Sequence, residues 1–273
     1  MFIYETSQIA DLYVSERLLE KRYEQQIVRL AKKVKECCAK DINRYLKARA
    51  EKVSSVTLAN ERRVLLTLWA WAYETHLVAE PPRAVMRITA QRPPVSAWNI
   101  TTCQKIVQHA LKKFPGEFKH GLAKGKFLAT WCLLAYETGA RYGDIMAWGE
   151  KNIHGNNISW TVSKTGVPLS RKISDKCLTL VKEMLERSTD GTILGWVCCR
   201  RYGFYQMRCL LKDLGIAGSG KWFRRTAGTQ AELAQPGSGN LMLGHKTRSV
   251  FLNHYYDTRE AHSRLPTLPQ LVD

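Results

Sequence analysis

No apolar run in the chain approaches the roughly 18 residues of a membrane-spanning helix, and the opening MFIYETSQIADLY has neither a basic start nor an apolar centre. A membrane protein or an exported one is not expected. Acidic residues are scarce: 24 Asp and Glu stand against 42 Lys and Arg, a net charge of +18. With 45% hydrophobic residues the chain is no disordered basic tail, so a folded protein that binds nucleic acid is the natural reading. Cysteines are present, at 37, 38, 103, 132, 177, 198, 199 and 209, but none has CxxC spacing and no His stands at zinc-ligand spacing beside them. Adjacent cysteines rarely bridge each other, so reduced thiols in a cytoplasmic compartment are expected. Also missing are internal repeats, low-complexity tracts, a Walker loop and a paired-carboxylate site for two metals. No cofactor is expected.

What is there begins with helices. Ser7 is placed to cap a segment carrying Ile9, Leu12 and Tyr13; Tyr23, Ile27, Leu30 and Val34 recur at helical spacing, and Ile42, Tyr45 and Leu46 do so more briefly. A fourth helix, capped by Ser55 or Thr57, sets Leu58, Leu65, Leu68, Trp69 and Ala72 opposite Asn60, Arg62 and Arg63. That polar side is either a solvated face or a contact for a phosphate backbone. Pro81, Pro82, Pro93 and Pro94 then break the pattern, which predicts a linker over 81–97 in which Arg83, Arg87 and Arg92 can cross phosphates. The division predicted is 1–80, a helical DNA-clamping domain; 98–257, a second domain; and 258–273, a tail.

In the second block Ile106, Val107, Ala110 and Leu111 share a helical face. KFLATWCLLAYE, residues 126–137, is apolar nearly all round and predicts a central core helix, closed by Thr138-Gly139. Arg141 follows that end. The period then changes to 2 over Ile158, Trp160 and Val162, with Lys164 in the turn of an antiparallel hairpin. Ser174 is placed to cap an amphipathic helix running towards Asp190-Gly191, and Tyr205 to Leu214 predicts another. The overall expectation is a mainly α chain with a small antiparallel sheet.

The stretch 221–256, KWFRRTAGTQAELAQPGSGNLMLGHKTRSVFLNHYY, carries cations, a Gly-His pair and two adjacent Tyr that are costly to bury unless a polyanion meets them. Singly, each residue has an ordinary reading. Arg141 can pair with Asp144, His245 can cap a helix, Tyr255 and Tyr256 can be core aromatics, and Lys164 can simply be solvated. In order, however, ARYGD after a helix, a hairpin lysine, KWFRR, LGH and a late tyrosine resemble the tyrosine recombinases, or phage integrases, over most of the chain.

The resemblance implies a helical core-binding domain followed by an α+β catalytic domain. By position it makes Arg141 and Arg224 the two catalytic arginines, Lys164 the hairpin lysine and His245 a further active-site residue. Lys221 stands where most members have His. The nucleophile falls to Tyr255, with Tyr256 the alternative, because the commonest spacing from His245 lands on His254. The same resemblance implies a site-specific recombinase or integrase of a mobile genetic element. It would cleave and rejoin double-stranded DNA through a 3′-phosphotyrosyl link, with neither metal nor ATP. A tetramer of two DNA-bound dimers is implied, with room for accessory DNA-bending proteins and with the apolar tail exchanged between protomers. The alternatives are a type IB-like topoisomerase and a non-cleaving DNA-binding protein of the same fold.

The residue types suit that chemistry. Two guanidinium forks can meet the charge that gathers on the equatorial oxygens of a pentacoordinate phosphorus, with His245 and Lys221 as further donors. A cluster of cations favours the phenolate of Tyr255, and Lys164 can protonate the leaving 5′-oxygen.

Overall fold

The structure, a computed structural model, describes residues 4–91 and 93–262, and the chain divides after Pro93 into two compact units. Arg92 and residues 263–273, which include the tail segment expected to pass between protomers, lie outside the described residues.

The first unit holds four helices, α1 (Thr6–Ser15), α2 (Lys21–Ala31), α3 (Ala39–Ala50) and α4 (Ser55–Glu74). Their apolar faces enclose Ile9, Ile27, Leu30, Ile42, Leu46, Leu65 and Leu68, each of which contributes roughly 1.5–3 kcal/mol by leaving water. The caps differ from those read in the sequence. Helix α1 starts before Ser7, with Glu5 extended at its cap and the Gln8 side chain accepting the Glu5 N–H at 2.9 Å. Helix α4 is capped by Ser54, whose Oγ accepts the Thr57 N–H at 3.3 Å; Ser55 and Thr57 already lie within the first turn. Any of several adjacent hydroxyls could serve, and the one whose backbone stays extended does so. Buried Glu61 on α4 is satisfied by Tyr45 Oη and by two nitrogens of Arg49.

Residues 80–91 run along this unit without helix. The Trp69 indole N–H donates to Glu80 O, Asn43 bonds Ala84 O and Met86 N–H, and Ser55 Oγ accepts the Gln91 N–H. Of the side chains expected to meet phosphate, Asn60, Arg63 and Arg87 are not tied to any of these carbonyls. Arg62 is engaged there, donating from Nε to Met86 O at 2.7 Å and from Nη2 to Val85 O at 3.3 Å. Exposed Arg83 pairs with Glu80 at 3.1 Å.

The second unit is built on α5 (Ile100–Lys112) and α6 (Lys124–Glu137). Phe127, Leu128, Trp131, Cys132 and Leu134 of α6 are at most 1% exposed, so this helix is the centre of the core. The short α7 (Tyr142–Ile145) leads to β1 (Ile153–His154), β2 (Asn157–Thr161) and β3 (Pro168–Lys172), an antiparallel sheet in that order, with Ile158 facing Arg171 and Trp160 facing Leu169. Among the described residues six helices follow: α8 (Asp175–Glu186), capped by Ser174, α9 (Arg200–Asp213), α10 (Lys221–Ala234), α11 (Ser238–Met242), α12 (Arg248–His254) and α13 (Thr258–His262). Helix α8 stops short of Asp190-Gly191, and α9 starts five residues before Tyr205 because its first turn, RRYG, has no apolar residue at helical spacing to announce it. The cysteines are free, and burial pushes the Cys132 and Cys177 thiols far above the ordinary range. Among the described residues no helix is long and apolar enough to cross a membrane.

Candidate active site

Helix α6 ends at Thr138, and Gly139 takes φ +65°, a left-handed conformation that a side chain resists. The chain turns there, so Arg141 emerges as the N-cap of α7 beside the buried end of the core helix. It borders a cavity of about 650 Å³, and it does not form an ion pair with Asp144. Asp144, 5% exposed, instead accepts the Ser163 N–H at 3.2 Å, which ties α7 to the β2–β3 turn next to Lys164.

Four further segments reach the same cavity. Lys164 projects from the hairpin turn, and Lys221 and Arg224 lie on the first turn of α10. After α11 the chain passes Gly244, at φ +62°, to His245. A Cβ on Gly244 would stand 2.8 Å from Leu169 Cδ1 and 3.3 Å from Val162 Cγ2, so only glycine lets this turn lie against the hairpin that carries Lys164. The last segment is the end of α12, where Tyr255 caps the helix and donates its N–H to Phe251 O.

Arg224 is 5% exposed and held from behind. Nη1 donates to Gly139 O, Nη2 donates to Leu243 O at 2.8 Å, and Nη2 also lies 3.2 Å from His245 Nε2. A guanidinium only donates, so His245 accepts at Nε2 and carries its proton on Nδ1. That Nδ1, Arg224 Nε and Arg141 Nη1 are all buried without a hydrogen-bond partner. These three buried donors, on residues that border one cavity, are costly to leave unpartnered.

The tyrosines separate. The Tyr255 ring lies 4.5 Å from the His245 ring and 5.2 Å beneath the Arg224 guanidinium, on the cavity. Tyr256 packs against the buried Phe251 at 5.8 Å and is not among the lining residues.

The electrostatics follow from crowding cations. Among the described residues the lining includes Arg141, Lys164, Arg200, Lys221, Arg224 and Arg225 and no Asp or Glu. Burial and the neighbouring Arg141 bring Arg224 down to about 10. Burial and the charges of Arg224 and Arg141 lower His245 to about 4, so it is neutral near pH 7. Burial alone would raise Tyr255, but Arg224 and Arg141 together outweigh it and leave the phenol more acidic than an ordinary tyrosine.

Arg200 and Arg225 join the cavity without having been expected there. Arg200 opens α9, lies 5.8 Å over the Phe204 ring and passes close to Gly143, where a Cβ would meet Nη1 at 3.3 Å. Arg225 donates to Ser96 O at 3.0 Å. The adjacent arginines of KWFRR are the one sequence signal for Arg225; Arg200 has none, because it lies in the polar first turn of α9.

No protein-family model and no curated protein matches the chain. Solved structures do. Lambda integrase residues 75–356, a dimer on a COC′ core site, superposes with a TM-score of 0.74 at 17% identity over 96% of this chain and 98% of that one. The Tn1549 transposon integrase with circular intermediate DNA gives 0.72 at 13% identity over 96% and 99%. XerH recombinase on its difH substrate gives 0.64 at 13% identity over 97% and 85%. The fold is that of the tyrosine recombinases. On this recombinase fold, the six residues expected to carry the chemistry, Arg141, Lys164, Lys221, Arg224, His245 and Tyr255, all border a single cavity. In unit 1, Glu36, Cys38 and Asp41 bring ligand-type atoms within 4.8 Å of one another, but Asp41 already accepts from Glu36 N–H and pairs with Arg44.

Proposed function

We propose that the protein is a site-specific DNA recombinase of the integrase type, which breaks and rejoins DNA through a covalent phosphotyrosyl intermediate. The observation that carries this is the placement of an acidified phenol, Tyr255, beside two arginines, Arg141 and Arg224, each with a buried N–H group that has no hydrogen-bond partner, on one cavity.

The scissile phosphodiester enters the cavity, and its non-bridging oxygens take the free N–H groups of Arg141 and Arg224 and the Nδ1–H of His245. Lys221, in the position where most members have His, adds a mobile ammonium donor. Tyr255 gives up its phenol proton to water, its oxygen attacks phosphorus, a bond forms between them, and the P–O5′ bond breaks. Lys164, on its turn, gives the departing 5′-oxygen a proton. The DNA is left with a 3′-phosphotyrosyl end and a free 5′-hydroxyl, and attack by a 5′-hydroxyl reverses the step. Bond energy is kept, so neither ATP nor a metal is called for.

Lambda integrase has been seen as a dimer on a core site and as a tetramer on a Holliday junction. By that analogy this chain works as a tetramer of two DNA-bound dimers, with Asn60, Arg63 and Arg87 of the first unit adding contacts to the duplex. Arg83 contributes little there while it is paired with Glu80, since its guanidinium is already turned to a carboxylate.

The test is covalent capture. A pool of nicked duplexes of randomised sequence is incubated with the protein, and DNA that stays attached under denaturing conditions is recovered. Wild type and Tyr256→Phe attach DNA; Tyr255→Phe does not. Attachment by Tyr255→Phe overturns the assignment of the nucleophile, and no attachment by wild type leaves a non-cleaving DNA-binding protein. Joint molecules from two captured sites then separate a recombinase from a topoisomerase.

A further inference from the structure

The residue two places after Tyr255 is a buried carboxylate, and its partners explain why it is there. Asp257 is 3% exposed. Its Oδ2 accepts the Ala97 N–H at 2.9 Å from a position 160 residues earlier in the chain. Arg259 supplies the rest, donating from its backbone N–H and Nε to Oδ1 and from Nη2 to Oδ2. The same short segment is held from its other side by Thr229, fully buried on α10, which donates to Tyr255 O at 3.3 Å and accepts the Asp257 N–H at 3.1 Å.

The residues around Ala97 are themselves fixed to α10. Arg225 donates to Ser96 O at 3.0 Å, and Thr226 Oγ1 both accepts the Trp98 N–H and donates to Trp98 O. Helix α10 is the helix that presents Arg224. One rigid element therefore holds the arginine directly, the tyrosine segment through Thr229, and the same segment again through residues 96–98 and Asp257.

We propose that Asp257 is a positioning residue: by tying the chain immediately after Tyr255 to the Ala97 amide, it sets the phenol in register with Arg224 and Arg141. The inference rests on Tyr255 being the nucleophile. Without the tether, the chain after Tyr255 loses its link to residues 96–98 and keeps the Thr229 bonds and the N–H bonds of Tyr255 and Tyr256 to Phe251 O. Reaching an in-line position then becomes a search, and a misplacement of about 1 Å is enough to slow a reaction by about 100-fold.

The experiment measures the rate of covalent attachment to a nicked duplex already captured by wild type, beside non-covalent retention of the same duplex. Asp257→Ala slows attachment by about 100-fold while retention stays within a factor of two or so. Asp257→Asn keeps an oxygen for the Ala97 amide and recovers most of the lost rate; Arg259→Ala, which leaves the tether intact, stays near wild type. Thr229→Val, close in shape and lacking both bonds, provides a second variant with the same slow attachment, should Asp257→Ala fail to fold. Attachment by Asp257→Ala or Thr229→Val at the wild-type rate overturns the inference while leaving Tyr255 as nucleophile. A slow Asp257→Ala whose retention falls in parallel makes the residue merely structural and overturns it too. If wild type captures no DNA from the pool, the nucleophile and its positioning residue fall together.

Discussion

Arg141 has two consequences that a single substitution separates. As a donor to a developing oxyanion, its loss costs on the order of 10²–10³ in the rate of covalent attachment. As a cation beside Tyr255 it also lowers the phenol, so Arg141→Ala moves the rising limb of the pH–rate profile, which reports ionisation of the phenol, to higher pH. A slower variant with an unmoved limb would show that Arg141 binds phosphate without tuning the nucleophile. His245 yields a prediction about stability. Its folded pKa of about 4 lies below the ordinary 6.5, so the unfolded chain binds more protons between those values. Stability contributed by the neutral imidazole is fully present above about 6.5 and is lost as the pH falls towards about 4. His245→Gln flattens that part of a denaturation-versus-pH curve. Residue types made much of this legible: Arg141, Lys164, Arg224 and His245 follow one another along one domain in the order the resemblance requires. The choice between Tyr255 and Tyr256 was not legible, because it turns on which ring faces Phe251 and which faces His245, and adjacent positions share their local pattern.

At the level of elements, the hairpin and the turn after α11 form one device. Gly244 lets the turn lie on Val162 and Leu169, and Asp144 pins the strand end through the Ser163 N–H, so Lys164 stands at the tip of a fixed base. Gly244→Ala places a side chain at φ +62° and against Leu169, at a cost of roughly 1–2 kcal/mol from the left-handed backbone alone, visible as a lowered midpoint in denaturant. Lys164→Ala leaves the base intact and removes the proposed proton donor. It slows cleavage of an ordinary phosphodiester by about 10²–10⁴ but not of one whose bridging 5′-oxygen is replaced by sulfur, since a thiolate departs without a proton. An equal loss on both substrates would assign Lys164 to binding. The hairpin was readable from the switch to period 2 and α6 from its unbroken apolar surface, whereas the start of α9 was hidden. Its first turn is polar, lies on the surface and is held by an Arg–Phe contact that no periodicity announces.

Across the whole molecule the excess charge is spread along the chain: residues 1–95 hold 17 basic and 11 acidic side chains, and residues 96–273 hold 25 and 13. If both units touch the DNA backbone, each phosphate contact releases counterions, and log K falls with log salt by about 0.9 per contact. The arginines of the first unit sort themselves for such a measurement. Arg63 and Arg87 are available to meet phosphate, whereas Arg62 is engaged with two backbone carbonyls. Arg63→Gln and Arg87→Gln in the full chain each reduce the slope by about 0.9 without moving the denaturation midpoint. Arg62→Gln does the reverse: it leaves the slope alone and lowers the midpoint, because Val85 O and Met86 O lose their donor. A slope that stays constant through Arg63→Gln and Arg87→Gln would confine the DNA contact to the second unit. The recombination chemistry would then stand on residues 94–273 alone.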